Sequence, residues 1–342
     1  MIITRLLTAA LLLSFCFGLG LRATVAAEVN IYSARKEVLI KPLLDSFTAE
    51  TGITVNLVSG KADALLQRLE REGVNSPADV LLTTDAGRLA RAQQRGLLQA
   101  VRSAALDASV PAQYRDPTGV WYGLSIRARP IIYAIDRVSP ADLSSYAALT
   151  GPQWKDRICV RSSNNIYNQS MLAAFIDHIG AAAAEDWARG LVANFARKPQ
   201  GGDTDQIRAV AAGECDVALA NTYYLARLTV SSKAADREVA AKVAIFWPDQ
   251  DGFGVHVNIS GAAVTRAAGN VEEAIALLEY LAGPEAQRSY AEVVHEYPVR
   301  TDVEWSDVVA AWGRFKADDL NLAILGKNNA EAVRIADRAG WR

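Results

Sequence analysis

Strand-like and helix-like segments alternate three times between residues 28 and 95, and this regular order limits the chain to few folds. The strand-like runs lie at 29–32, 53–58 and 78–82, and the helical patterns lie at 38–51, 62–72 and 86–95. The order predicts a parallel sheet with helices on both faces, and Pro42 is expected in the first turn of its helix. Ligands bind beyond the carboxyl ends of such strands, so we expect the site near the loops 33–37, 59–63 and 83–85.

A long extended run from residue 121 to residue 135 interrupts this alternation. A second α/β set follows, with a strand at 158–160, helices at 166–179, 183–195 and 205–212, and returning strands at 243–246 and 255–264. We therefore expect an α/β fold of two lobes with a hinge and a cleft between them. The first lobe is predicted to comprise 28–126 and 250–300, and the second lobe 127–249 and 301–342.

Residues 1–27 have the pattern of a cleavable signal peptide. Arg5 precedes an apolar core at 6–21, and small residues at 25–27 suit a signal peptidase. The mature protein is therefore predicted to be exported and soluble in a bacterial periplasm. Cys159 and Cys215 are the cysteines that remain, and in an oxidising compartment we expect them to form a disulfide.

Charge and motifs argue against several classes of function. The formal charge of −2 becomes −4 when Arg5 and Arg22 leave with the signal, which does not favour nucleic acid or a membrane surface as a partner. The histidines, at 178, 256 and 295, form no spaced metal pair, and the sequence contains no phosphate-binding loop or dinucleotide fingerprint. We expect packed or surface histidines and a protein that is not an enzyme.

Two strand-to-helix junctions carry tyrosines at matching positions. Tyr167 lies eight residues after Cys159, and Tyr223 lies eight residues after Cys215, with Tyr224 next to it. If the two strands are neighbours, both loops emerge at the same end of the sheet and the three phenols converge. The alternative is three unrelated tyrosines at helix starts, with Tyr224 packed in the core and Tyr223 a half-exposed ring.

Three convergent phenols suit Fe(III) better than a sugar or an amino acid, because a hard trivalent cation prefers hard anionic oxygen. A bound cation favours deprotonation of tyrosine, whose free pKa is about 10, and three phenolates neutralise a 3+ ion. Asn221 or Thr222 is predicted to cap the helix that carries the tyrosine pair. Basic residues that could hold an accompanying anion lie at strand ends and crossovers: Arg35, Lys36, Arg127, Arg129 and Arg227.

Four motifs resemble those of the ferric-iron-binding periplasmic proteins of bacterial ABC importers. They are Tyr-Ser-Ala-Arg at 32–35, Trp-Tyr-Gly-Leu-Ser-Ile-Arg-Ala-Arg at 121–129, Arg-Ser-Ser-Asn-Asn-Ile-Tyr-Asn-Gln-Ser at 161–170 and Asn-Thr-Tyr-Tyr at 221–224. The resemblance implies a two-lobed, hinged periplasmic-binding-protein fold of the transferrin-like class. It also implies that Tyr167, Tyr223 and Tyr224 coordinate Fe(III), and that Arg127, Arg227 and Arg35 support the ligands or a synergistic anion such as carbonate.

The chain departs from part of that family after Arg35, where Lys36 and Glu37 stand in place of a histidine or a histidine–tyrosine pair. A small anion is expected to fill the remaining iron positions, and Glu37 is the alternative ligand. The predicted partner is an inner-membrane ABC permease with a separate ATPase, and we expect a monomer. Two other functions stay open, namely a receptor for an oxyanion or phosphonate and a secreted Fe(III)–tyrosinate enzyme.

Overall fold

Two separate β-sheets organise the chain, as expected from the two α/β sets. The computed structural model describes residues 27–342, so the predicted signal peptide lies almost entirely outside the described residues. The strands are β1 Glu28–Ser33, β2 Thr54–Ser59, β3 Val80–Thr84, β4 Tyr122–Ala128, β5 Ile131–Ala134, β6 Ile158–Cys159, β7 Val217–Leu219, β8 Val243–Phe246 and β9 Val257–Val264.

The first sheet has the strand order β2-β1-β3-β9-β4, and the second has the order β6-β7-β5-β8. In the first sheet β1 pairs in parallel with β2 and β3, while β9 runs antiparallel to both β3 and β4. In the second sheet β6 and β7 are parallel and β5 runs antiparallel to its neighbours. The predicted parallel pairing at the start of the chain is therefore confirmed. Of the two predicted returning strands, β9 joins the first sheet, whereas β8 pairs with β5 in the second sheet.

The helices that cover these sheets are α1 Glu37–Thr51, α2 Ala62–Glu72, α3 Ala86–Gln94, α4 Ala104–Ser109, α5 Ile166–Ala193, α6 Asp203–Ala212, α7 Thr222–Thr229, α8 Ala234–Ala240, α9 Val271–Ala282, α10 Pro284–Ser289, α11 Asp307–Ala310, α12 Ala323–Lys327 and α13 Asn329–Arg338. A π-helical turn, Tyr290–Val294, continues α10. Every residue of β9 is buried, because helices pack on both faces of the sheet. Within residues 27–342, we find no helix with the length and apolar character of a membrane span.

Two extended crossovers join the sheets at one place. Arg129 lies between β4 and β5, and its amide donates a hydrogen bond of 3.0 Å to the carbonyl of His256, just before β9. The Tyr146 hydroxyl donates to the Arg129 carbonyl at 2.7 Å and accepts from the His256 amide at 3.1 Å. These paired crossovers match the expected hinge of a two-lobed α/β fold.

Several local features differ from the sequence predictions. Helix α1 begins at Glu37, so Pro42 lies in its second turn and not in the first. The two helices predicted at 166–179 and 183–195 do follow each other as expected, but they meet directly at Gly180, whose φ of 80° breaks α5. Helix α8 was not predicted, because it buries no residue and so has no apolar face to reveal it.

Candidate metal centre

The three tyrosines lie in the first turns of α5 and α7, which follow the parallel neighbours β6 and β7. Asn165 caps α5, since its side-chain oxygen accepts from the Tyr167 amide at 3.0 Å. The hydroxyl oxygens of Tyr167 and Tyr223 are 3.3 Å apart, and the ring centroids of Tyr223 and Tyr224 are 4.2 Å apart. Tyr223 is buried and Tyr224 is half-buried, the reverse of the alternative arrangement. The structure therefore brings the three phenols together.

A disulfide between Cys159 and Cys215 fixes the two strands that lead to the tyrosines, which confirms the predicted bond. Their Cα atoms are 5.9 Å apart, and 56 residues separate them in the chain. In the chain-entropy model a loop of this length contributes about 4 kcal/mol to stability by restricting the unfolded state. The bond therefore ties the end of β6 to the start of β7, and these two strands lead to the phenols.

The predicted cap of α7 is wrong in its chemistry. Asn221 does occupy the N-cap position, but its side chain makes no capping hydrogen bond, and Thr222 lies inside the helix. The Asn221 side-chain oxygen instead accepts from the Arg129 guanidinium at 3.1 Å. The start of α7 is thus held by a distant arginine, which local sequence could not reveal.

Guanidinium groups cover the phenol rings. Arg127 and Arg161 lie 5.1 and 5.5 Å from the centroid of the Tyr167 ring, and Arg227 lies 4.9 Å from that of Tyr223. The Arg127 side chain is fully buried, and its Nη2 donates to the carbonyl of Ile259. Its Nε and Nη1 have no hydrogen-bond partner among residues 27–342. A buried donor pair beside phenol oxygens is suited to an anion.

The surroundings shift the pKa values of the three phenols in different directions. Burial opposes ionisation of Tyr167, but the Arg127 charge and the hydrogen bond from Tyr223 hold its pKa below the ordinary value. Burial raises the pKa of Tyr223 well above that value, and the neighbouring phenols Tyr167 and Tyr224 raise it further. Burial and Tyr167 likewise raise the pKa of Tyr224. Tyr167 therefore ionises more readily than the other two phenols, whose phenolates would need a cation to stabilise them.

The first-lobe residues singled out by sequence lie in different surroundings. Arg35 is buried against Glu296, with 2.6 Å between its Nη2 and the carboxylate oxygen, and it also donates to Ser125 at 2.9 Å. Lys36 and Glu37 are exposed at the start of α1, and Glu37 makes no hydrogen bond or ion pair within residues 27–342. The structure therefore does not bring Glu37 into contact with the phenols, and Arg35 is bound to a carboxylate of its own.

The loop 83–85 does reach the second lobe. Asp85 caps α3 at a left-handed φ of 84°, and its Oδ1 accepts from Ser170 at 2.6 Å. Ser170 lies one turn after Tyr167 on α5. The carboxyl end of the first sheet thus contacts the helix that carries a candidate ligand, as the strand-end rule predicts.

The histidines lie outside the tyrosine cluster. His178 is 2.8 Å from an Asp318 carboxylate oxygen, and burial together with nearby charges lowers the pKa of His256 to about 3, so that it is neutral. Burial and Arg227 lower the pKa of His295. Across the described part of the chain, 27–342, no group of three or more histidine, cysteine, aspartate or glutamate residues is arranged to hold a metal ion. A metal at the tyrosines would therefore be bound by phenol oxygen.

Sequence reasoning missed two residues that contact this centre. Arg161 lies within a quoted motif but was not selected, although it stands over Tyr167. Asp203 begins α6 in a polar, glycine-rich stretch typical of an exposed helix start, yet its side chain is fully buried and bound to Arg129 at 2.9 Å. A partner 74 residues away leaves no local signal.

Comparisons with known proteins agree with this geometry. The family of bacterial extracellular solute-binding proteins matches residues 75–319. Iron uptake protein A1 of Synechocystis is 47% identical over 315 residues, covering 92% of this chain and 88% of that protein. A Trichodesmium protein solved in complex with iron and citrate ligands superposes with a TM-score of 0.90 at 50% identity, covering 92% of this chain and 100% of that one. The ferric binding protein of Campylobacter jejuni gives 0.87 at 38% identity, covering 92% and 100%.

Proposed function

The chain belongs to the bacterial extracellular solute-binding proteins, and on that basis we propose that it captures Fe(III) in the periplasm and delivers it to an ABC permease. The observation that carries the proposal is the cluster of three phenols covered by guanidinium groups. A transport family is not an enzyme class, so the Fe(III)–tyrosinate enzyme has less support than the transport protein.

Tyr167, Tyr223 and Tyr224 would bind the ferric ion as phenolates. Tyr167, whose pKa is lowered, would be the first to ionise, and its charge would attract the cation. Tyr223 and Tyr224, whose pKa values are raised, would lose their protons only as iron binds, because the bound cation stabilises their phenolates. The three negative charges would then neutralise the ion.

Arg127 would hold a small anion that completes the iron coordination. Its Nε and Nη1 are buried donors without a partner among residues 27–342, and it faces Tyr167. Arg227 and Arg161 would add positive charge around the other rings. Carbonate is one candidate for this anion, because arginine forms charge-assisted hydrogen bonds to oxyanions. Citrate is a second candidate, since a Trichodesmium relative was solved with iron and citrate ligands. Arg35 would support the site only indirectly, and Glu37 is the less favoured ligand.

The oxyanion or phosphonate receptor remains the second candidate. The unpartnered donors of Arg127 favour it, since they suit an anion whether or not iron is present. The three phenols favour iron, because together they can supply the three negative charges that neutralise a 3+ ion, whereas in an anion receptor they could act only as neutral hydrogen-bond donors.

The proposed lobes are 28–126 with 250–300, and 127–249 with 301–342. The strands support this division, since β1–β3 and β9 fall in the first lobe and β5–β8 in the second. Helix α13 packs on α5 of the second lobe, while α12 contacts both α3 and α5. Cleavage of a signal peptide after residue 27 and a monomeric mature protein complete the proposal.

A ferric titration followed by visible absorption tests this function. Purified protein lacking residues 1–27 would be titrated with ferric citrate, and a charge-transfer band from phenolate to Fe(III) is expected to saturate at one equivalent. Tyr133→Phe, which alters a β5 tyrosine at the other end of β7, is the matched control and should leave the band unchanged. Absence of a band together with tight binding of phosphate or a phosphonate would favour the anion receptor.

A further inference from the structure

A buried ion pair joins the hinge to the tyrosine-bearing helices. Arg129 and Asp203 lie 2.9 Å apart, and their side chains are 1% and 0% exposed. Replacing such a pair by apolar residues is often neutral or stabilising, because desolvation of both charges offsets their attraction. Stability alone is therefore a weak explanation for its presence, and its other contacts indicate what it does.

The side chain of Arg129 contacts the start of each tyrosine-bearing helix. Its Nη2 donates to Asn168 at 2.7 Å, and Asn168 directly follows Tyr167. Its Nη1 donates to Asn221 at 3.1 Å, two residues before Tyr223. One planar guanidinium thus spans both helix starts, which a single ammonium group could not do in the same geometry.

Asp203 holds the same two junctions from the other side. Its Oδ2 accepts from the Asn221 backbone amide at 2.9 Å, and its Oδ1 lies 3.2 Å from Arg161, which covers the Tyr167 ring. The carboxylate therefore fixes the start of α7 and the loop before α5 together. All these groups are buried or half-buried, so the network is shielded from water.

The backbone of Arg129 connects this network to the chain that enters the first lobe. It lies in the crossover and is hydrogen-bonded to the returning chain at His256. Arg127, two residues earlier in the extended chain, projects to the same side and stands 5.1 Å from the Tyr167 ring. The distance between the Arg127 guanidinium and the phenols therefore depends on how Arg129 is anchored.

We propose that Arg129 and Asp203 are positioning residues of the metal centre, which hold the starts of α5 and α7 so that Tyr167, Tyr223 and Tyr224 can bind one ferric ion. This role rests on the proposed function. Neither residue would touch the metal. Arg129 acts through Asn168 and Asn221, and Asp203 acts through Asn221 and Arg161.

Three substitutions test the role without relying on one variant to fold. Arg129→Lys keeps the charge but loses the fork that reaches both asparagines, and Asp203→Asn removes the carboxylate charge. Asn221→Ser keeps a residue suited to an N-cap while it removes the amide oxygen that Arg129 contacts. Arg157→Lys is the control, since Arg157 pairs with Asp216 at 2.6 Å at the opposite ends of β6 and β7.

The readouts are the energy and intensity of the phenolate–iron band, the iron affinity in competition with citrate, and thermal unfolding of the iron-free protein. Arg129→Lys and Asp203→Asn are expected to shift the band and weaken iron binding ~10–100-fold, the range typical of residues that orient metal ligands. Asn221→Ser should also shift the band and weaken iron binding, but by a smaller amount. Arg157→Lys should lower the unfolding temperature and leave the band and the affinity unchanged.

Wild-type band and affinity in folded Arg129→Lys and Asn221→Ser proteins would overturn the positioning role. If Arg129→Lys does not fold, Asn221→Ser decides alone, and an unchanged band and affinity would overturn the role equally. Failure of the wild-type protein to form the band would overturn the proposed function before any variant is compared, and the positioning role would fall with it.

Discussion

Two buried arginines beside the cleft have opposite surroundings. The terminal nitrogens of Arg35 are bound by the carboxylate of Glu296, with Ser125 alongside. Arg127 makes no hydrogen bond to a carboxylate within residues 27–342, and it faces the Tyr167 ring with two donors unpartnered. The charge of Arg35 is compensated by a buried carboxylate, so this pair stabilises the fold. The charge of Arg127 has no hydrogen-bonded carboxylate beside it and is available to an ionised phenol or a bound anion.

The same contrast separates the two sides of the cleft. On the second-lobe side, the phenols are buried or half-buried and lie together at the starts of two helices, and a disulfide joins the strands before these helices. On the first-lobe side, Glu37 is exposed and Arg35 is engaged elsewhere. Iron capture is therefore expected to depend on tyrosines of the second lobe and on Arg127, with little direct contribution from the loop at 35–37.

The largest effect is expected when a phenol is removed. Tyr167→Phe, Tyr223→Phe and Tyr224→Phe each remove an anionic ligand with little packing volume, so each should abolish or strongly reduce the visible band. The loss of affinity should exceed the ~10–100-fold typical of an outer partner. Affinity is measured by citrate competition and folding by circular dichroism. Full colour in both the Tyr223 and Tyr224 variants would remove these residues from the site.

Replacement by methionine should have different effects at the two arginines, mainly on stability at Arg35 and mainly on iron affinity at Arg127. Arg35→Met leaves the buried Glu296 carboxylate without its partner and is expected to cost about 3–5 kcal/mol of unfolding free energy, with a smaller effect on iron. Arg127→Met should weaken iron binding ~10–100-fold with a smaller loss of stability. Denaturant unfolding and iron competition are measured on both proteins. The opposite pattern would reverse the roles given to the two residues.

Iron binding should become tighter as pH rises. In the iron-free protein Tyr223 and Tyr224 are expected to carry protons, because burial raises their pKa values, and the proposed iron complex would have released them. The iron-free state therefore binds more protons than the complex, so raising the pH favours the complex. Release of at least two protons per iron is expected at neutral pH, one from each of these two phenols. A pH-stat measures it, with Tyr224→Phe as a control that should release fewer, and proton-independent binding would contradict the assignment.

The smallest effect is expected at Glu37. Because Glu37 is exposed and unpaired within the described residues, Glu37→Gln should change iron affinity by less than about threefold, well below the loss typical of a metal-ligand partner. Loading is compared in buffer free of bicarbonate, citrate and phosphate, before and after bicarbonate is added. Weak loading that bicarbonate restores in both proteins supports the anion. Loading that needs no anion and is lost in Glu37→Gln would make Glu37 a ligand.

Local patterns predicted the sheets and the convergence of the phenols, because both depend on short-range signals. Apolar runs mark the strands. Tyr167 and Tyr223 each follow the carboxyl end of one strand, so the parallel pairing of β6 and β7 places their rings at one end of the sheet. These features need only the neighbourhood of each strand and a parallel pairing.

The charged network could not be predicted, because its partners are far apart in the chain. Glu296 is 261 residues from Arg35, and Asp203 is 74 residues from Arg129. Clustered arginines at strand ends indicated a basic site. Nothing in the sequence distinguished Arg35, which is hydrogen-bonded to a carboxylate, from Arg127, which makes no such bond within residues 27–342. The distinction depends on which arginine the tertiary structure brings next to an acidic residue.

The most direct test is a crystal structure of the iron-loaded protein with anomalous scattering measured at the iron edge. One strong peak is expected within bonding distance of the phenolate oxygens of Tyr167, Tyr223 and Tyr224, with a small anion between the ion and Arg127. A peak bonded to other residues, or three phenols that remain hydrogen-bonded to each other with no iron among them, would contradict a tyrosinate iron site.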